Sequence, residues 1–325
     1  MIEQLILAVF ILIILGLILL SVICLLRSFN MAPRSENEKY FQDPIRKSRK
    51  PFPSINDSPS KYLSVIIPAY KEVDRCKVNK SSLFLSIYFF RLYLVPAMIK
   101  DTMNYLEQRQ IALKYTAQYG IDIVRIALKY TAQYGIDIVR VLTLDANRGK
   151  GGAVRMVSAR GQWILFADAD GATTFSDFTK LEKKALDGMK NNDVVICGSR
   201  RHLEKESVAQ RSAFRTLLMY VFHFEVWLFA VKSIRDTQCG FKLFSRESAR
   251  KIFLQMHVER WAFDVELLYI AEQCKIPIFE ADVNWQEIPG SKLDPFTASF
   301  QMGIDILAIW IRYLLGIWRI QYKNE

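Results

Sequence analysis

Trp163-Ile164-Leu165-Phe166-Ala167-Asp168-Ala169-Asp170 is the stretch on which the fold turns. An unbroken apolar run without alternation predicts a strand covered on both faces, as in a parallel sheet wrapped by helices. Acids follow at once, so polar chemistry is confined to the carboxyl end of that strand, the edge at which α/β sheets bind ligands. Alternation by two places Asp168 and Asp170 on one side of the chain, and hard carboxylate oxygens suit Mg²⁺ or Mn²⁺ that also grips a diphosphate. An isolated Asp-x-Asp reads more readily as an acidic loop, so the neighbours decide.

Upstream, Leu63-Ser64-Val65-Ile66-Ile67-Pro68 reads as a first buried strand and Ile138-Val139-Arg140-Val141-Leu142-Thr143-Leu144 as another. Asn147-Arg148-Gly149-Lys150-Gly151-Gly152 opens a helix, and Asp193-Val194-Val195-Ile196-Cys197-Gly198 follows as a further strand. This βαβ series predicts an α/β fold with a mostly parallel sheet flanked by helices. The glycine-rich turn lacks both Walker A and G-x-G-x-x-G spacing, so it implies neither ATP nor a dinucleotide. Small residues with Arg148 and Lys150 at a helix start can receive an anion. A tight turn with solvated basic side chains reads equally well.

With 51% hydrophobic and 24% charged residues in a chain of 325, there is material for one large core or two modest ones. The five cysteines contain no C-x-x-C pair and are odd in number, which argues against a disulfide framework or a zinc site and for a reducing compartment. The three histidines lack metal-ligand spacing and no G-x-S-x-G elbow occurs, leaving hydrolase and zinc-enzyme readings without support.

Residues 5–26 form an apolar run long enough, as a helix, to cross a bilayer core. No basic residue precedes it and no A-x-A-like site follows, so an anchor over residues 1–27 is expected rather than a cleaved signal. Arg27, Arg34, Lys39, Arg46, Lys47, Arg49 and Lys50 follow the run, which retains the C-terminal side in the cytosol. They define a basic juxtamembrane linker over residues 28–60, its end marked by the Pro, Ser and Asn content of 51–60. Anionic lipid head groups account for that cluster, and the net charge of +11 has no nucleic-acid module to go with it. From Phe300 onward, apolar and aromatic residues mixed with Asp305, Arg312 and Arg319 predict an interfacial, membrane-associated helix over 300–325. A helix packed on the core fits the same pattern.

Several segments together resemble the family 2 glycosyltransferases with a GT-A (Rossmann-like) fold: Ser64-Val65-Ile66-Ile67-Pro68-Ala69-Tyr70-Lys71-Glu72, the turn at 147–152, Ala167-Asp168-Ala169-Asp170-Gly171-Ala172, and Asp236-Thr237-Gln238-Cys239-Gly240-Phe241-Lys242. The stretches Gly198-Ser199-Arg200-Arg201-His202-Leu203-Glu204 and His257-Val258-Glu259-Arg260-Trp261-Ala262-Phe263-Asp264 point to its glucosyl branch rather than to the mannosyl one. The resemblance implies a transferase domain over 61–299 that moves glucose from UDP-glucose to dolichyl phosphate with inversion, for N-linked glycan assembly at the endoplasmic reticulum membrane. It implies donor contacts from Pro68, Ala69, Tyr70, Glu72, Arg148, Lys150 and Asp168, with Mg²⁺ or Mn²⁺ on Asp170 and Asp168. Asp236, together with Asp168 and Asp170, would serve catalysis, and Arg200, Arg211 and Arg215 would take the acceptor phosphate. Arg260, Trp261 and Asp264 would belong to the sugar and acceptor region, although Trp261 alone reads as core. Asp236 alone reads equally as a turn cap.

Three features depart from that pattern. Residues 111–125 recur unchanged as 126–140, each copy reading as a helix end, a Tyr-Gly stop and a strand start. The family places a strand ending in Asp-Asp-Gly-Ser just before this region, and no such motif occurs here; residues 121–125 could fill a strand slot, but Asp122 lies near its start. Residues 76–93 read as an insertion. Weak UDP binding is therefore expected. A polyprenyl-phosphate transferase of the mannosyl type using GDP-mannose, and a catalytically impaired membrane-anchored paralogue or misassembled gene product, remain open alternatives.

Overall fold

The computed structural model describes residues 21–27, 29, 31, 33–70, 112–118, 140–145, 148–156, 159–168, 172–203, 213–286 and 295–321, with Gly16, Ala132 and Ile136 as isolated positions. Glu72, Asp170, Arg211 and the 76–93 insertion lie outside the described residues, as does most of the 5–26 run. Residues 21–26 of that run are helical. Among the described residues, no helix is long and apolar enough to cross a membrane.

The first strands, β1 (Tyr40–Asp43) and β2 (Ser48–Pro51), form an antiparallel hairpin pairing Tyr40 with Pro51. The segment expected to be a basic linker is thus, where it is described, more than a tether. Arg140 lies 4.4 Å over the Phe41 ring, and the backbone N–H of Asp145 donates to Glu38 at 3.0 Å. The 51–60 segment is likewise fastened, because Arg246 donates to the carbonyls of Ser54 (3.1 Å) and Asp57 (2.7 Å) as well as to those of Ala159 and Gly161.

The main sheet comprises β3 (Lys61–Tyr70), β4 (Ala112–Gln118), β5 (Val141–Thr143), β6 (Gly161–Ala167), β7 (Val195–Ser199), β8 (Phe241–Ser245) and β9 (Ile278–Asp282), in the order β5-β4-β3-β6-β8-β7-β9. Pairings are parallel except those of β8, which runs antiparallel to both β6 and β7. The sheet is thus mostly parallel, as expected, and mixed only through the single reversed strand β8. Reversal of β8 has a chemical consequence: the loop before it is delivered to the edge where β6 and β7 end.

Helices α1 (Gly149–Arg155), α2 (Phe178–Gly188), α3 (Ala213–Phe229), α4 (Arg246–Phe253), α5 (Phe263–Gln273) and α6 (Pro295–Leu314) complete the fold. Side chains of β6 divide by parity as a pleated strand requires. Trp163, Leu165 and Ala167 join Phe178 and Leu181 of α2 on one face, while Ile164 and Phe166 join residues of α4, α5 and α6 on the other. Phe166 meets Phe263 edge to face at 5.7 Å. Each such fully buried ring contributes about 1.5–3 kcal/mol by area, which is why the apolar run tolerates no polar residue before Asp168.

The tandem repeat folds otherwise than its sequence suggests. Residues 112–118, expected to end a helix, are strand β4 between β3 and β5. Ala132 occupies in the second copy the place Ala117 has in the first, and it is helical. Identical residues thus adopt different structures, because pairing with two neighbouring strands outweighs local preference. The expected strand at 121–125 lies outside the described residues.

At the C-terminus, α6 buries Ile306, Ala308, Ile309 and Ile311. Its charges turn inward. Arg312 donates to the carbonyls of Cys24 (2.7 Å), Leu25 (2.9 Å) and Arg27 (2.6 Å), and Arg27 donates to Asp305 at 2.7 Å. The last carbonyls of a helix have no intrahelical partner, and a guanidinium here satisfies two of them, Cys24 and Leu25, together with the Arg27 carbonyl just beyond. Of the two readings open for this segment, packing on the core holds for these residues; Phe300, Leu314, Leu315 and Ile317 remain exposed.

Candidate active site

Asp168 leaves β6 at the sheet edge, its backbone N–H donating to Gly240 at 2.8 Å. Its carboxylate meets Lys150, whose Nζ lies 3.0 Å from Oδ2 as a hydrogen bond and 2.7 Å from Oδ1 as an ion pair. Oδ1 is buried and has no hydrogen bond. A Cβ on Gly240 would fall 2.0 Å from Oδ2, so glycine there is what lets the carboxylate stand where it does.

Lys150 comes from the first turn of α1 and lies 5.3 Å from the ring centre of Phe166, 5.8 Å from Phe263 and 5.9 Å from Trp261. Burial alone would lower its pKa, but the carboxylates of Asp168 and Asp264 outweigh burial and hold the ammonium above the ordinary lysine value. The glycine turn itself is built for contact with the segment before α5. Gly149 has φ +69°, and a Cβ there would lie 2.3 Å from the Glu259 carbonyl, which also accepts from the Gly152 N–H at 3.1 Å. Neither basic side chain is solvated. Arg148 is buried, donating to Glu38 at 2.9 Å and to the Pro33 carbonyl at 2.8 Å, so its guanidinium fastens the N-terminal segment.

The second pair stands at the end of β7. Arg200 donates from Nη2 to Asp236 Oδ1 at 2.7 Å, and from Nε (2.8 Å) and its backbone N–H (2.9 Å) to Oδ2. Burial would raise the Asp236 pKa; the Arg200 hydrogen bonds and charge prevail and hold the carboxyl below its ordinary range. The Arg200 guanidinium also lies 5.3 Å from the Trp285 ring centre. Asp236 therefore does more than cap its turn. Cys239, in the same loop, is no nucleophile, because burial pushes its thiol up to about 12.

The sheet edge thus gathers Asp168, Lys150, Arg200 and Asp236 from four separate segments. Pro68 is buried near the end of β3, and the backbones of Ala69 and Tyr70 pair with Ala117 and Gln118. Arg215 lies in the first turn of α3. Trp261, which taken alone reads as core and by resemblance belongs to the sugar and acceptor region, is 43% exposed beside Lys150, and Arg260 is exposed as well. Asp264 is the reverse: it is 2% exposed and bonded to Lys242 at 2.6 Å, so it faces the interior. Sequence reasoning singled out neither Lys242 nor Glu259; a lysine inside Phe241-Lys242-Leu243-Phe244 was the available signal. Among the described residues no group of three or more His, Cys, Asp and Glu could hold a metal. The Asp168 carboxylate, paired with Lys150, nevertheless offers the hard oxygen donors that a divalent cation takes, and Asp170 is two residues on.

A mixed sheet with an acid at the end of its central strand, faced by a reversed strand and its loop, defines a GT-A glycosyltransferase. In keeping with it, the family model for Glycosyl transferase family 2 matches residues 122–253. Full-length relatives narrow the class. Dolichyl-phosphate beta-glucosyltransferase of Homo sapiens is 47% identical over 339 aligned residues, covering 95% of this chain and 94% of its own. The protein so named in Saccharomyces cerevisiae is 35% identical, covering 94% and 93%. The chain belongs to the dolichyl-phosphate β-glucosyltransferase family. Among solved structures, glucosyl-3-phosphoglycerate synthase from Mycobacterium tuberculosis in complex with phosphoglyceric acid aligns with TM-score 0.49 at 15% identity, covering 77% of this chain and 80% of that one.

Proposed function

We propose that this chain transfers glucose from UDP-glucose to dolichyl phosphate with inversion, giving dolichyl β-D-glucosyl phosphate and UDP. The observation that carries this reading is the pairing of Asp168 with Lys150 and of Asp236 with Arg200 at one sheet edge, in a chain 47% identical to a curated family member. An oxygen of the acceptor phosphate forms the new bond to the anomeric carbon as the bond to UDP breaks, UDP leaving with the electron pair. That oxygen is anionic near neutral pH, so the acceptor needs orientation more than deprotonation. Asp236 suits this division of labour. Held ionised by Arg200, it orients the acceptor or balances positive character at the sugar, while Arg200, Arg211 and Arg215 supply guanidinium groups for the phosphate.

On the donor side, Lys150, paired with Asp168, would receive the diphosphate, with Trp261 offering an exposed ring for the sugar. Pro68, Ala69, Tyr70 and Glu72 would line the nucleotide side. Asp168 and Asp170 would hold Mg²⁺ or Mn²⁺, which when bound supplies neutralisation of charge on the departing diphosphate. The apolar run at 5–26, the basic residues after it, and exposed Tyr220, Phe224, Trp227 and Phe300 support a single-pass protein at the endoplasmic reticulum membrane with its catalytic domain in the cytosol.

Membranes containing this chain should convert labelled UDP-glucose and dolichyl phosphate into a lipid-linked product, and Asp170→Ala should lower the rate by about a hundredfold. Full activity in Asp170→Ala would remove the metal assignment. Competition by GDP-mannose, with a mannosyl lipid as product, would replace the donor.

A further inference from the structure

Lys242 touches neither Asp168 nor Asp236, yet it is the one fully buried lysine among the described residues. It lies in β8 between buried Phe241 and Leu243, where an unpaired ammonium would not be tolerated. Two partners hold it: the Asp264 carboxylate in the first turn of α5 and the Cys239 carbonyl in the loop before β8, both at 2.6 Å. Stability alone does not explain such a pair, since apolar residues of similar volume commonly serve a core as well or better. What the ammonium does is join three elements at one point.

One of those elements is the loop carrying the site. Asp236 opens it, clamped by Arg200 and by its own N–H to Glu280 at 2.8 Å. Gly240 closes it, against the Asp168 carboxylate. Between them, the Cys239 carbonyl is held by Lys242 and, through it, by α5, whose preceding residues include Trp261. We propose that Lys242 is a positioning residue for glucosyl transfer, tying the 236–240 loop to α5 so that Asp236 keeps its place when the acceptor binds. This rests on the reading of the chain as a dolichyl-phosphate glucosyltransferase. It also assigns Asp264 a part exerted through Lys242 rather than by contact with sugar.

Lys242→Met alone would strand the Asp264 carboxylate and jeopardise the fold, so the informative variant is K242M/D264L, which removes both charges at similar volume. A companion, K242Q/D264N, keeps a donor for the Cys239 carbonyl without charge. Transfer from labelled UDP-glucose to dolichyl phosphate is measured for the full chain in membranes, with amide hydrogen exchange at 236–240 on the same preparations. In K242M/D264L, kcat should fall about tenfold or more, donor KM should stay within about twofold, and the loop amides should exchange about tenfold faster. K242Q/D264N should recover part of both losses. Parental kcat in K242M/D264L, a fall in kcat without faster loop exchange, or collapse of thermal stability in both variants would overturn the positioning role. Should the parent chain transfer no glucose, the functional reading falls instead; the loop exchange still decides whether Lys242 is the tether.

Discussion

Gly240 and Asp168 make the tightest requirement of the site at the scale of single residues. Because a methyl group at 240 would sit 2.0 Å from Asp168 Oδ2, Gly240→Ala must displace either the carboxylate or the loop. Overpacking of this kind typically costs about 1–3 kcal/mol. The rate loss should exceed the stability loss, since the displaced atom belongs to the site; a thermal melt and a transfer assay on the same membranes check this, and full activity would refute the placement of Asp168. Asp236 gives a prediction in pH. Its carboxyl pKa is depressed in the fold, so its stabilisation is complete above the unfolded value and fades only as pH falls through the lower folded one. Activity should therefore show no acid limb from Asp236 across roughly pH 5 to 8. In Arg200→Met the burial that raises the pKa is opposed only by the weaker influence of the Lys242 charge, and an acid limb should move upward in the pH–rate profile. An unmoved profile would mean that Arg200 does not set this ionisation.

Among the elements, the strand ending in Asp168 was legible because a strand buried on both faces must be apolar throughout and can be polar only at its end. Equally legible were the first strand, β7, and the glycine turn, whose Gly149 needs a positive φ. The reversal of β8 was not, since apolar residues carry no sign of strand direction. Nor were the partners of Arg148 and Lys150, which come from Glu38 and Asp168, 110 and 18 residues away. The repeat defeated local reading most completely, because Ala117 and Ala132 have the same neighbours and different structures. Its strand, β4, ends at Gln118 without the Asp-Asp-Gly-Ser that the family pattern supplies for uridine. With no carboxylate in that strand, UDP in the presence of Mn²⁺ should bind at least about tenfold more weakly than to a relative carrying the motif, a difference of about 1.4 kcal/mol. Isothermal titration measures it directly, and equal affinity would show that another segment supports the base.

Across the whole molecule, residues 24–27 meet residues 305–312. Arg312 of α6 satisfies the carbonyls that close the helical stretch at 21–26, and Asp305 takes Arg27, so the junction between the apolar run and the transferase domain is fixed by hydrogen bonds rather than by a loose tether. From there, α6 reaches the site region. Tyr313 donates to Glu266 at 3.0 Å, and Trp318 stacks on His257 at 4.3 Å; Glu266 in turn accepts from the backbone N–H groups of His257 and Val258, just before Glu259 and Trp261. On the membrane-bound reading proposed above, a rigid junction would let the fold set the height of the site above the bilayer. Arg312→Met tests the junction apart from the chemistry. It removes the donor from the buried Cys24 contact and from the part-buried Leu25 and Arg27 contacts, where a buried group left unsatisfied costs about 1–3 kcal/mol. At about 2–4 °C per kcal/mol, the melting midpoint in detergent should fall by at least about 4 °C. Transfer activity per folded molecule in detergent should be unchanged, while activity in intact membranes should drop if the junction sets the height of the site. An unchanged midpoint would show that the arginine adds nothing to the junction, and equal activity in detergent and in membranes would show that the junction does not position the site.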